Sequence, residues 1–201
     1  MIVLSSYIER INATFATSAM LAPWKWTQLA EKMILEKIST LPGDYKIFNN
    51  VAIHSSVVID SHATLKGPAI VSANCFVGAH SYLRGGVFLD NNVSLGPGCE
   101  VKTSFIFSNS ALAHFNFVGD SLVGSNVNLE AGAIICNHFN ERKDKTISLH
   151  VDGMVYKTDA MKFGAVVGDN TKIGANAVLS PGSILKPDSI VRRLELIEQG
   201  G

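Results

Sequence analysis

From Ile53 to Ala113 every sixth residue is apolar: Ile53, Ile59, Leu65, Val71, Val77, Leu83, Leu89, Leu95, Val101, Phe107 and Ala113. Four positions after each comes a second register of mostly small or branched residues: Val57, Ala63, Ala69, Cys75, Ser81, Val87, Val93, Cys99 and Ala111, with Phe105 the exception. Roughly half of an average chain is apolar, so composition does not explain two registers held in step for this long. Neither a helix nor an ordinary strand repeats at six. A hexapeptide period predicts an all-β solenoid, in which six residues make one short flat strand and a turn. Three such units close a triangular coil, and coils stack at the spacing of neighbouring strands, about 4.8 Å. The array predicts about six coils of parallel β-helix over residues 51–191. The phase slips once, near His114, and resumes at Phe117, Val123, Leu129 and Ile135. It breaks over residues 137–160 and resumes at Met161, Val167, Ile173, Leu179, Leu185 and Val191.

The flanks read differently. Residues 1–22 carry no strong pattern. After Pro23, residues Trp26, Leu29, Ala30, Met33, Ile34 and Ile38 form one helical face. Proline suits a first turn and Pro42-Gly43 ends the element, so a helix is expected over about residues 23–39. Its expected role is to cap the open end of the solenoid, with Trp24 and Trp26 serving packing rather than a ligand box. Inside the break, Asp152-Gly153 separates two alternating runs, the signature of a two-residue hairpin. Loops that leave a rigid scaffold often carry function. The tail, 192–201, is expected to add a short helical turn.

The 201 residues suffice for one domain with a real core. Seventeen lysines and arginines balance seventeen aspartates and glutamates, so charge gives no case for nucleic acid or membrane as partner. Cys75, Cys99 and Cys136 lack metal-ligand spacing, and the first two occupy small inward positions, as packing thiols do. Met1 to Leu4 is too short an apolar run for a leader and no transmembrane run follows. A cytoplasmic location is the resulting expectation.

Three residues carry candidate chemistry. Arg84, Lys102 and His114 each follow a residue of the inward register and so face outward. Arg84 and Lys102 are 18 residues apart, one coil, which stacks them on one corner. Two cations one strand spacing apart repel by about 3 kcal/mol at an effective dielectric near 20. A phosphate between them would relieve this, although two solvated surface cations read equally well. His114, twelve residues after Lys102, falls on another corner. It would meet the pair across a subunit interface or through the phase slip, and its pKa range suits a general base.

The run Ala113-His114-Phe115-Asn116-Phe117-Val118-Gly119-Asp120, followed by Val127-Asn128-Leu129-Glu130-Ala131-Gly132-Ala133-Ile134-Ile135-Cys136-Asn137, resembles a known family. The family is the bifunctional UDP-N-acetylglucosamine pyrophosphorylase/glucosamine-1-phosphate N-acetyltransferases, and the likeness is to their carboxy-terminal left-handed β-helix domain. It extends upstream to Tyr82-Leu83-Arg84-Gly85-Gly86 and Glu100-Val101-Lys102, and covers about residues 50–191. The resemblance implies a left-handed coil, acetyl-coenzyme A as co-substrate, no metal, a sugar phosphate as acceptor and a homotrimer. It implies His114 as general base. Arg84, Lys102, Phe117, Asn128 and Lys143 (with Lys145 close enough to confuse the match) would contact the acceptor. Ala131, Asn137 and His138 would contact acetyl-coenzyme A. The family's tyrosine is Phe117 here, so one hydroxyl is missing. Fewer than 50 residues precede the array, so uridylyl transfer is not expected of this chain. Two alternatives stand beside this reading. A zinc enzyme of the γ-carbonic anhydrase type needs histidines five apart, but His80 and His114 are followed at that distance by Gly85 and Gly119. A non-catalytic trimeric scaffold for a separate nucleotidyltransferase fits Phe117 and the short front.

Overall fold

The structure, a computed structural model, describes residues 2–15 and 20–198. It is a triangular, left-handed parallel β-helix. The first face carries Val51–His54, Ala69–Val71, the second halves of Tyr82–Leu89 and Glu100–Ile106, then Leu122–Val123, Ala165–Val167 and Ser183–Leu185. The second face is a seven-stranded sheet running from Val58–Ile59 to Ile190–Val191. The third carries Thr64–Leu65, the first halves of the two long strands, Phe117–Gly119, Ile134–Ile135, Val178–Leu179 and Leu196–Ile197. Each face has seven layers, so there are seven coils rather than six. The seventh forms because the tail adds strand Leu196–Ile197, where a helical turn was expected; residues 199–201 lie outside the description.

Inside, Val71, Val77, Leu83, Leu89, Leu95 and Val101 are fully buried, as the period requires. Ile59 stays 37% exposed because its strand has a neighbour on one side only. After Val101 the register differs from the sequence reading. Leu89 pairs with Ile106 and Val101 with Val118, each 17 residues on. One residue is dropped between Lys102 and Ser104, opposite Gly85-Gly86, and a second between Val118 and Val123. The inward residues are therefore Ile106, Leu112 and Val118, not Phe107, Ala113 and Phe117, before Val123, Leu129 and Ile135 continue the core. Met161 is likewise 67% exposed and outside the array, whereas Val167, Ile173, Leu179, Leu185 and Val191 fill it.

The corner between the first and second faces is a ladder. Asn74, Asn92, Asn109, Asn126, Asn170 and Asp188 each adopt φ of 57–61°. Asn and Asp tolerate that left-handed backbone better than other residues with a side chain. Each of the five asparagine amides donates to the next side chain, at 2.9–3.2 Å.

The first face is apolar outside as well as inside. Ala52, Ile70, Phe88, Phe105, Leu122, Val166 and Ile184 point away from the coil yet are buried. What covers them is the amino-terminal segment: a 3-10 turn at Leu4–Ser6, α1 (Ile11–Thr14), α2 (Pro23–Gln28) and α3 (Ala30–Ile38). Phe15 and Trp26 meet Phe105 edge-on at 5.4 and 5.3 Å, and Phe15 also meets Phe88 at 5.1 Å. Each fully buried ring of this kind contributes about 1.5–3 kcal/mol by area alone. The helix thus lies along a side of the solenoid, not on its open end. That end is closed on the first face by β1 (Tyr45–Phe48), antiparallel to Val51–His54. The expected helix is also broken at Leu29, whose φ of −102° and ψ of 5° lie outside the helical region.

The array is interrupted between Asn137 and Phe163, where the Phe163 N–H donates to the Asn137 carbonyl at 2.9 Å. The excursion holds the expected hairpin, Ser148–Val151 against Met154–Lys157, turning at Asp152 (φ 49°) and Gly153 (φ 77°). Phe139, Ile147, Leu149 and Phe163 pin it to the outer side of the first face. No helix among the described residues is long and apolar enough to cross a membrane.

Candidate functional site

Arg84 and Lys102 are register partners at the corner where the third face turns into the first, as the spacing predicts. They are not bare cations. Arg84 Nη2 and Nε hold Glu100 Oε1 at 2.6 and 2.8 Å. Lys102 Nζ holds Asp120 Oδ2 at 2.6 Å, with side chains only 15% and 9% exposed. Asp120 Oδ2 also accepts from Asn137 Nδ2. The repulsion inferred from sequence is thereby cancelled within the chain. Their spacing in the sequence carries the signal: Glu100 is two residues before Lys102 on the same outer face, and Asp120 is one coil after it. The same column begins one coil earlier with Lys66, since Leu65 pairs with Leu83. Lys66 Nζ and Arg84 Cζ lie 5.2 and 5.7 Å from the Tyr82 ring centroid.

Phe117 faces outward from the third face, in line with Glu100 and Ile134. Its ring fixes the neighbouring residue. A Cβ on Gly119 would fall 2.8 Å from the Phe117 ring and 2.9 Å from Asn137 Cγ, so only glycine lets both approach. His114 sits at the other edge of the third face, exposed, and its imidazole has no hydrogen-bond partner among the described residues. Its turn is an ordinary one. Phe115 N–H donates to Pro97 O at 3.1 Å, and His114 O accepts from Gly132 N–H at 2.8 Å. The register slips lie elsewhere, so the slip does not single out His114. Gly96 permits the close stacking beneath it, because a Cβ there would clash with the Ala113 carbonyl and reach within 3.2 Å of His114 Nδ1. Phe115, beside it, is 73% exposed.

Five residues of chain, which turns at Phe115 (φ 53°), lead from His114 to Gly119, the register partner of Lys102, so the two edges are at most about 17 Å apart. Asn128 lies off the third face. It projects from the second face into a pocket of 500 Å³ lined also by Glu130, Lys172, Gly174, Arg192 and Arg193. There the Arg193 fork meets both Glu130 oxygens at 2.7 Å. With the Ala175 N–H, it holds the Glu130 carboxyl below its usual range. Lys172 and Arg192 have no carboxylate partner among the described residues. Ala131 lies on the second-to-third corner directly below His114, with Ala175 next in the column. Asn137 is at the neck of the excursion, and His138 and Lys143 are exposed on it, away from His114. Lys145 is half-buried. Among the described residues no three metal-ligating side chains converge.

A three-sided coil with apolar hexapeptide registers is the fold of the hexapeptide-repeat transferases. In sequence the chain is similar to bifunctional GlmU proteins and resembles their carboxy-terminal acetyltransferase region. It is 36% identical to the "Bifunctional protein GlmU" of Heliobacterium modesticaldum over 132 residues, 66% of this chain and 24% of the relative. With that of Methanococcus vannielii it shares 34% over 145 residues, 71% of this chain and 34% of the relative. The chain thus spans a quarter to a third of the length of these curated relatives. No family model matches it. Among solved structures, a hexapeptide transferase family protein from Anaplasma phagocytophilum aligns with 73% of this chain and 72% of its own, at 16% identity and a TM-score of 0.43.

Proposed function

We propose that this chain is an acetyl-coenzyme A-dependent N-acetyltransferase acting on the amine of a phosphorylated amino sugar. The observation that carries the reading is the third face, with an imidazole that makes no hydrogen bond among the described residues at one edge and an arginine–lysine column at the other. Arg84 and Lys102 hold the acceptor phosphate, with Lys143 of the excursion closing over it. His114 takes the proton as the amine attacks the thioester carbonyl. The new C–N bond forms, the C–S bond breaks, and the proton passes on to the departing thiolate. Proximity supplies much of the acceleration, and the Asn137 amide or a backbone N–H offers the oxyanion donor.

The residues present suit the co-substrate. From His114 the corner descends through Ala131 and Ala175 to Arg193, three coil steps or about 14 Å. Small side chains there leave room for an extended pantetheine arm, and Lys172 and Arg192 at the foot suit its phosphates. Asn128 faces that groove in its own chain and would reach the acceptor only in a neighbouring copy, so the reading includes a cyclic homotrimer. A cytoplasmic location accompanies it. The test is thiol release from acetyl-coenzyme A over a panel of amino-sugar phosphates. His114→Ala should fold and assemble as wild type, since the side chain is exposed and makes no hydrogen bond among the described residues, and lose about 10²–10⁴ in kcat. A His114→Ala enzyme with wild-type kcat overturns the assignment.

The pairing of Arg84 with Glu100 and Lys102 with Asp120, together with Phe117, favours a second reading: a trimeric scaffold that keeps the fold without turnover. Absence of thiol release with every acceptor, from a folded trimer, would establish it.

A further inference from the structure

We propose that a cavity of 550 Å³ between the amino-terminal 3-10 turn, the hairpin and the last coil binds an α-amino acid with an apolar or aromatic side chain. It lies on the outer side of the first face, and the proposal does not rest on the reading of the third.

Three segments distant in sequence make the walls. Tyr7 follows the 3-10 turn, and its carbonyl accepts from the Asp169 N–H at 2.8 Å, which ties the turn to the coil. The hairpin supplies Val151, Asp152, Met154 and Tyr156. Lys186 and Pro187 come directly after Ser183–Leu185, the last strand of the first face. The volume lies within the usual range for small-molecule sites, about 300–1,000 Å³. Val3 and Met154 line it and are more than half exposed, so a ligand's apolar group would take their surface out of water.

The polar groups select the ligand's head. Lys186 Nζ donates to Asp152 Oδ1 at 2.9 Å. Asp152 Oδ2 and the remaining ammonium hydrogens have no partner among the described residues. No other charged side chain lines the cavity among the described residues. It therefore presents one carboxylate beside one ammonium, with no net charge. A lone carboxylate gains from Lys186 and loses to Asp152, and a lone amine does the reverse. A zwitterion with both groups on one carbon gains from both and leaves the existing pair intact. Tyr7 adds a directed donor. It is only 7% exposed, yet its hydroxyl has no hydrogen-bond partner among the described residues. The sealed side-chain atom without a partner among them is Trp26 Nε1, so the Tyr7 oxygen opens onto the cavity it lines. Burial, and then the Asp152 charge, raise its pKa, which keeps it protonated to donate to a carboxylate.

The probes are L-phenylalanine, 3-phenylpropionate, 2-phenylethylamine and glycine, titrated calorimetrically into the full chain. Wild type should bind phenylalanine with a Kd of about 1 mM or tighter. The two analogues that lack one charge, and glycine, should bind about tenfold more weakly. Asp152→Asn keeps a residue that tolerates the φ of 49° and should erase the preference for phenylalanine over 3-phenylpropionate. Lys186→Gln should erase the preference over 2-phenylethylamine. Tyr7→Phe breaks no hydrogen bond among the described residues, so it should melt as wild type and bind phenylalanine about fivefold more weakly. Failure of phenylalanine to bind at about 10 mM overturns the proposal. Equal binding of the three phenyl compounds does so too, since the cavity would then be an apolar patch only. Wild-type selectivity in either charge variant would place phenylalanine elsewhere and sink the assignment.

Discussion

Asp120→Asn separates the structural from the ligand-binding role of Lys102, because the two predict opposite signs. Asparagine keeps the shape, and its backbone tolerates the φ of 47° found here. What is lost is one negative charge 2.6 Å from Lys102 Nζ, between side chains 15% and 9% exposed. An ammonium largely removed from water then keeps only a neutral acceptor. Removing one partner of a buried pair costs 3–5 kcal/mol when nothing replaces it. With Asn Oδ1 still accepting, about 1–3 kcal/mol is expected. For a chain of this length that lowers Tm by about 2–12 °C. Anion affinity should move the other way. A phosphate on the far side of Nζ would lie roughly 5 Å from the carboxylate, a repulsion of about 3 kcal/mol at a dielectric near 20. Screening at this partly open corner cuts that to about 1.5 kcal/mol, or tenfold in Kd. Thermal unfolding and phosphate calorimetry on one variant thus read both roles. A variant as stable as wild type, with phosphate affinity unchanged or weaker, would refute the account of Lys102.

Gly119→Ala should cost about 1–3 kcal/mol in urea unfolding, because its methyl group must displace the Phe117 ring or Asn137; a neutral result would show that the ring is loosely held. Asn109→Ala removes two ladder hydrogen bonds and puts alanine at φ 61°, so a loss of about 2 kcal/mol is expected, with Asn109→Gly recovering about half. Equal losses would mean that the backbone contributes nothing there. Burial pushes the Cys75 thiol up to about 11 from 9.0. Since the folded pKa is the higher, this group's stabilisation is complete below pH 9 and is lost between pH 9 and 11 as the unfolded thiol ionises first. Cys136, half-buried, should be alkylated by iodoacetamide well before Cys75 or Cys99 at pH 8; simultaneous labelling of all three would contradict the burial.

The hexapeptide registers made the coil legible, because an inward face that meets only its neighbours above and below must stay apolar in step. The one-residue slips were not legible, and the reason is local. At Phe105-Ile106-Phe107 all three residues are apolar, since the first face is buried on both sides. A slip that would ordinarily exchange polar for apolar left no trace. The Ala111-Leu112-Ala113 and Phe117-Val118 stretches hide it in the same way. The outer cover was missed from residues 1–22 although Leu4, Ile8, Ile11 and Phe15 have helical spacing; the 3-10 turn and the four-residue α1 are too short to stand out. At the site, the coil count brought Arg84 and Lys102 together correctly. It could not show that Glu100 and Asp120 neutralise them, or that Asn128 faces the other way, because contacts between columns depend on which corner each residue turns.

The amide ladder has a consequence for how such a protein can diverge. Asn109 bonds Asn126 at 3.2 Å across a coil one residue short, and Asn126 bonds Asn170 at the same 3.2 Å although the whole excursion intervenes. One seam therefore reads the chain as if nothing had been inserted. New sequence can be spliced at the opposite corner, beside the basic column, lengthened or exchanged, while the stack stays in register along its amide seam. Ligand preference and architecture are in this sense written on separate edges of the prism, and drift in one leaves the other unchanged.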